Sequence, residues 1–273
     1  MIEYHNDYEG IHTESVMHLL RSHNAQYWTA DDTKGVTLYA CKDGALLGAM
    51  RLNYFWDWAS IAALYYQDRD VLRALAREAW QHYAESVVGI KFFTFTASRY
   101  ADVLAAGFTD QGSIRYPDQT QTFYADLDKE AERPVNRYEM ICSHTPVEPY
   151  ETAFESKINQ FKMEHGITGK IAAFNRVALD GGQVVGGITC ERYETSLYVS
   201  RLAVDKKYRR KAIGSTLMQS AIDYAQANNL AYIELGTTDF QGQAFYETLG
   251  FEVKHVRKDN PRGYASYTMI KTL

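Results

Sequence analysis

Apolar and polar positions along this chain fall into two kinds of run, and the two alternate. Stretches rich in β-branched, aromatic and small apolar residues, at 36–41, 46–52, 60–66 and 90–95, read as strands. Among them, 68–85 sets Val71, Leu72, Leu75, Ala79 and Trp80 on one side of a helix. Before these, Ile2 and Tyr4 open a short strand. Residues 13–22 read as a helix with Val16, Leu19 and Leu20 as its apolar side. Lys42-Asp43-Gly44 is a hairpin turn of the Asp-Gly type. Ala106-Gly107-Phe108 leads into a last strand pair ending near Leu127.

The order then begins again. A strand at 138–143 precedes a helix at 149–165, with Phe154, Ile158 and Phe161 on one side. Strands at 170–179 and 184–190 flank the turn Asp180-Gly181-Gly182, and 197–204 is a further strand. A helix runs from Ile213 to about Asn228, with Ile213, Leu217, Met218, Ala221, Ile222 and Ala225 at helical spacing. A strand at 230–235, a short helix at 243–249 closed by Gly250, and strands at 251–257 and 264–271 complete the chain.

Leu46-Leu47-Gly48-Ala49 corresponds to Val184-Val185-Gly186-Gly187, and Ala106-Gly107-Phe108 to Leu249-Gly250-Phe251. The pattern therefore predicts an internal duplication at low identity. The fold class is α+β: two domains, each a mixed, mostly antiparallel central sheet flanked by helices. The charged run 128–133, followed by Pro134, reads as a linker that divides 1–128 from 129–273.

The two halves differ most where the chain leaves the central strand. In the second half that strand runs into Arg209-Arg210-Lys211-Ala212-Ile213-Gly214-Ser215-Thr216, a cationic turn at a helix N-terminus. Such a turn suits an anion. Unpaired N–H groups and the helix dipole point at it, and Arg209, Arg210 and Lys211 add full charges. Ala212 and Gly214 leave the backbone approachable, and Ser215 and Thr216 add hydroxyl donors. A diphosphate is the natural guest. In the first half the turn is Tyr66-Gln67-Asp68-Arg69-Asp70, about five residues shorter, with two carboxylates in place of cations. That half is expected not to hold a diphosphate, and to buttress the second half or shape its cleft.

Composition narrows the classes. A chain of 273 residues, 46% hydrophobic and 23% charged, is comfortable for two globular domains. A net charge of −5 argues against nucleic acid as a partner. No apolar run is long enough to span a bilayer, and Met1 opens no signal-peptide pattern, so a cytoplasmic protein with no membrane partner is expected. Cys41, Cys142 and Cys190 read neither as a disulfide framework nor as a metal site, and no His/Cys cluster has ligand spacing, so no metal is expected. No Gly-x-Ser-x-Gly elbow supports a serine nucleophile.

The turn 209–214 resembles the acyl-CoA pyrophosphate loop of the GNAT-superfamily N-acetyltransferases, Gln/Arg-x-x-Gly-x-Gly/Ala. Ala212 departs from it where glycine is usual, and its methyl group is expected to need ordinary backbone angles. Asp239-Phe240-Gln241-Gly242-Gln243-Ala244-Phe245-Tyr246-Glu247-Thr248-Leu249-Gly250-Phe251 is similar to the C-terminal motif of the same superfamily. There Asp239 stands for asparagine and Gly242 for alanine. Asp259-Asn260-Pro261-Arg262-Gly263-Tyr264 resembles a Pro-x-Gly turn that borders the acceptor site in one subgroup.

The resemblance implies two tandem GNAT-like halves, the first degenerate. It implies transfer of acetyl from acetyl-CoA to a primary amine of a small molecule or peptide by direct attack. Leu202, Ala203 and Val204 would orient the pantetheine arm, and residues 209–216 with Asp239 would serve the rest of the cofactor. Tyr246 would protonate the departing thiolate. The general base is left among Glu191, Glu194, Glu234 and water, and the assembly is a monomer or homodimer. The acidic net charge favours a cationic small molecule or basic peptide as acceptor. A rival reading is a non-catalytic acyl-CoA-binding or interaction module, suggested by Ala212, Asp239 and the lack of an obvious base.

Overall fold

Strands form where apolar side chains can be buried on both faces of a sheet, and Val36–Lys42, buried along all but its last residue, is such a strand. The computed structural model describes residues 2–6, 12–23, 35–55, 57–83, 85–131, 138–167 and 169–273. In chain order it contains β1 (Ile2–Asn6), α1 (Thr13–His23), β2 (Val36–Lys42), β3 (Ala45–Phe55), β4 (Trp58–Tyr66), α2 (Arg69–Tyr83), β5 (Gly89–Thr94), α3 (Ala97–Ala105), β6 (Thr109–Arg115) and β7 (Gln121–Leu127). It continues with β8 (Glu139–Ser143), α4 (Tyr150–Glu164), β9 (Ala172–Asp180), β10 (Gln183–Arg192), β11 (Ser196–Val204), α5 (Ile213–Ala227), β12 (Tyr232–Thr238), α6 (Gln243–Thr248), β13 (Glu252–Arg257) and β14 (Ser266–Thr272). The helix α3 is absent from the sequence reading. It is a helix of only nine residues, with Val103 its one fully buried side chain.

Two seven-stranded sheets result, β1-β9-β10-β11-β12-β14-β13 and β8-β2-β3-β4-β5-β7-β6. Compared position by position, the two orders are the same. Each has a parallel pair at its centre, β11 with β12 and β4 with β5. The duplication expected from sequence is thus present as topology. Gly48 and Gly186 show why those markers recur. A Cβ on Gly48 would press into Val71 of α2, and one on Gly186 would stand 3.1 Å from Ile213 of α5. Each glycine lets the helix after the central strand lie close on the sheet.

The expected boundary at 128/129 divides the chain but not the sheets, because the opening strand and helix of each half cross to the other. β1 pairs with β9, and α1 packs on β10 and β11, burying Val16 and Leu19 against Val177 and Ala203. Reciprocally, β8 pairs with β2, and α4 lies on β3 and β4 with Phe154 fully buried against Tyr39, Cys41 and Ala49. Arg51 fastens α4 in place through Glu151 and, at 2.7 Å, Glu155. Of the expected linker, Glu132, Arg133 and Pro134 lie outside the described residues.

Each sheet has its own apolar core, joined by a small cluster of Ile114, Tyr116 and Tyr124 against Tyr232 and Ile270. Polar contacts complete the junction. Arg257 meets Asp126 at 2.8 Å, with side chains 11% and 3% exposed. Tyr124 stacks on His255 at 4.2 Å, and Trp58 Nε1 donates to the carbonyl of Asp259 at 2.6 Å. Among the described residues, no helix is long and apolar enough to cross a membrane, and no group of His, Cys, Asp and Glu is placed to hold a metal.

Candidate active site

The parallel strands β11 and β12 are paired only from Ser196 opposite Tyr232 to Val199 opposite Leu235. Both strands continue, to Val204 and to Thr238. Extended strands that stop pairing must part, so they form a fork. The other edge of β11 stays bonded to β10 as far as Val204 opposite Gly186. From Ser200 onward the free edge of β11 therefore offers its backbone N–H and C=O groups to the opening. A cavity of about 1200 Å³ occupies the fork.

At the end of β11 the chain turns. The Asp205 carboxylate accepts from Lys207 N–H at 2.8 Å and starts one 3-10 turn, Lys206–Tyr208. Arg210 and Ala212 then take φ of 59° and 60°, in the left-handed region. Ala212 thus adopts the glycine-like angle rather than the ordinary angles expected for it. The sharp entry into α5 demands it, at a cost of about 1–2 kcal/mol for a residue with a Cβ. Alternation of this kind gathers backbone N–H groups into a concave anion seat. No side chain caps the N-terminus of α5, so its first N–H groups are left for a ligand.

The cavity is lined by Leu202, Ala203, Val204, Arg209, Arg210, Ala212, Ile213, Gly214, Ser215 and Tyr246. Three other residues singled out in the sequence stand apart from its wall. Lys211 lays its ammonium 4.8 Å over the Tyr208 ring. Thr216 is already within the helix, its N–H bonded to the Ala212 carbonyl at 2.9 Å. Asp239 accepts from Ala265 N–H at 3.0 Å through Oδ2, which ties the loop before β14 to the end of β12.

Tyr246, on α6, packs edge-on against Phe245 and Phe251. Burial, with a smaller contribution from Cys190, pushes its phenol up to about 12, so the group is held protonated. Gly214 sits beneath Phe245, where an added Cβ would be 3.5 Å from the ring. The carboxylates weighed from sequence lie off the wall. Glu191 accepts from Tyr193 at 3.0 Å, Glu194 is exposed, and Glu234 stands opposite Tyr198 in the β11–β12 register with the Tyr116 hydroxyl 3.4 Å away. Burial raises Glu234 to about 7. Among the described residues, the carboxylate that does line the cavity is Glu14.

Glu14 belongs to a wall that sequence reasoning missed. Met17 and Leu20 of the exchanged helix α1 join it, and Lys91, His255, Arg257 and Asn260 close another side. Lys91 comes from the first half. Asn260 lies in the Asp259–Tyr264 turn that the sequence had marked; no local signal marks the others, because only the exchange and the junction of the sheets bring them to the fork.

The matching place in the first half is built differently. β4 and β5 also part early, after Ser60 opposite Lys91. There the Asp68 carboxylate accepts from Asp70 and Val71 N–H, both at 2.9 Å, and so caps α2 from within. From α4, Phe161 lies 3.8 Å from the Arg99 guanidinium and Lys157 lies over Tyr65.

Residues 137–251 match the Acetyltransferase (GNAT) family. A segment of 79 residues is 37% identical to the N-acetylaspartate synthetase of Danio rerio, covering 28% of this chain and 28% of that protein. A segment of 85 residues is 33% identical to the N-alpha-acetyltransferase 30 of Schizosaccharomyces pombe (strain 972 / ATCC 24843), covering 29% of this chain and 57% of that one. The chain thus matches less than two thirds of the length of these relatives. Among solved structures, an acetyltransferase from Bacillus cereus ATCC 14579 aligns over 47% of this chain and 95% of its own, with a TM-score of 0.43 and 24% identity.

Proposed function

We propose that the chain, whose residues 137–251 form a GNAT-family domain, transfers acetyl from acetyl-CoA to a primary amine. One observation carries this reading: an uncapped helix N-terminus flanked by Arg209 and Arg210 opens on the cavity at the end of a forked strand pair. In this reading 129–273 supplies the cofactor seat. Residues 1–128 supply α1 and the opposite wall, and their own fork is built differently.

The diphosphate sits on the N–H groups at 212–215 and on Arg209 and Arg210, with Lys211 adding to the local positive field and the Ser215 hydroxyl serving as a further donor. The free edge of β11 at Leu202 and Val204, on either side of Ala203, bonds the pantetheine amides and turns the thioester carbonyl into the fork. The amine lone pair attacks that carbonyl carbon and a tetrahedral oxyanion forms. When the C–S bond breaks, the Tyr246 phenol gives its proton to the thiolate. The surplus proton on the nitrogen leaves through Glu14 or water.

Acetyl-CoA at one hundred times its dissociation constant should add about 2.7 kcal/mol of stability, read as a rise in Tm. Gly214→Glu should abolish the rise by placing a carboxylate in the seat. No rise in the unsubstituted protein would remove the reading. Release of free thiol over a panel of amines separates an enzyme from a module that only binds the cofactor.

A further inference from the structure

Resting on the acetyltransferase reading, we propose that the acceptor is a primary amine that also carries a carboxylate, seated on Lys91 and Arg257 at the junction of the two halves. The net charge of the chain is −5, but the cavity has the opposite sign. Among the described residues its charged lining is Lys91, Arg201, Arg209, Arg210 and Arg257 with one carboxylate, Glu14. Arg209 and Arg210 are accounted for by the diphosphate. Lys91, Arg201 and Arg257 stand on β5, β11 and β13, away from the loop. A purely cationic acceptor, as the net charge suggested, would be repelled by this wall.

Lys91 and Arg257 converge. The Lys91 ammonium lies 5.6 Å from the Trp58 ring and the Arg257 guanidinium 6.0 Å from the same ring. Each is positioned by one neighbour. Lys91 donates to Asn260 Oδ1 at 2.9 Å, which engages one of its three N–H donors. Arg257 is gripped by Asp126, through Nε at 3.0 Å and through Nη2 at 2.8 Å. Asp57, the other carboxylate acting on Lys91, accepts from Arg262 N–H at 2.7 Å. Lys91 and Arg257, both held in place and facing one cavity, offer their remaining N–H donors to the two oxygens of a carboxylate. Their proximity has a cost in the empty site: burial, reinforced by Arg257, pulls the Lys91 amine down to about 7. An anion between them removes that cost. Anchored there, an amino acid places its nitrogen in the cavity that also holds the thioester.

The test uses free α-amino acids, each paired with its carboxamide and its decarboxylated amine, with acetyl-CoA and a thiol readout. The acids should be favoured at least tenfold in kcat/KM, mainly through KM. Lys91→Met should erase the preference while keeping the Tm rise with acetyl-CoA, and Lys91→Arg should retain it. The inference is overturned if amides or decarboxylated amines serve as well, or if Lys91→Met keeps the preference. It is also overturned if acetyl-CoA raises Tm but no acid in the panel is acetylated or adds a further rise. An absent acetyl-CoA response would instead sink the parent reading, and this inference with it.

Discussion

Val16 of α1 lies directly over Gly187 of β10: a Cβ on Gly187 would collide with Val16 Cγ2. This contact docks the first helix of the chain onto the sheet of the second half, and so places Glu14, Met17 and Leu20 in the cavity wall. Gly187→Ala should destabilise the protein by about 1–3 kcal/mol through overpacking. Val16→Ala in the same chain should recover much of that loss. Urea midpoints of the two single variants and the double variant measure the coupling. Simple additivity would mean that α1 docks elsewhere.

At Ala212 a left-handed φ of 60° is carried by a residue with a Cβ. Ala212→Gly should relieve the strain and raise stability by about 0.5–1 kcal/mol, the gain being reduced by the extra freedom of glycine in the unfolded chain. Binding of acetyl-CoA should tighten or stay the same. A loss of stability in thermal melts would show that Ala212 is not in this conformation in solution.

Tyr246→Phe should keep the ring packing against Phe245 and Phe251 and remove only the proton donor. Turnover should fall about a hundredfold or more, while the Tm rise with acetyl-CoA persists. Unchanged kcat would assign Tyr246 to packing alone.

Glu234 links stability to pH. Burial lifts its carboxyl from the ordinary range to about 7. Between pH 4.5 and 7 the folded chain therefore holds a proton that the unfolded chain has lost, and this group makes stability fall as pH rises through that window. Glu234→Gln should flatten the fall and leave the protein more stable above pH 7 by about 1–2 kcal/mol, less than the full shift because the side chain is only partly buried. A slope unaltered by the substitution would mean that Glu234 ionises normally.

What the chain disclosed by itself was local. Period and turn chemistry marked most strands and helices, because a strand that buries both faces and a helix that buries one leave different spacings. The cradle was legible at 209–214 because its cations, small residues and helix start are consecutive. Tyr246 could be singled out beside it because the motif around it is also a short run. The repeat was legible because Gly48 and Gly186 meet the same packing demand in each half. Tertiary structure decided everything that depends on partners distant in the chain. It crossed β1 and α1 to one sheet and β8 and α4 to the other, since an apolar strand edge or helix face does not encode which of two similar sheets will cover it. It brought Glu14, Lys91 and Arg257 to one cavity, and so gave an acidic chain a cationic site, because net charge sums over the whole surface while a ligand meets only the side chains that the fold turns inward.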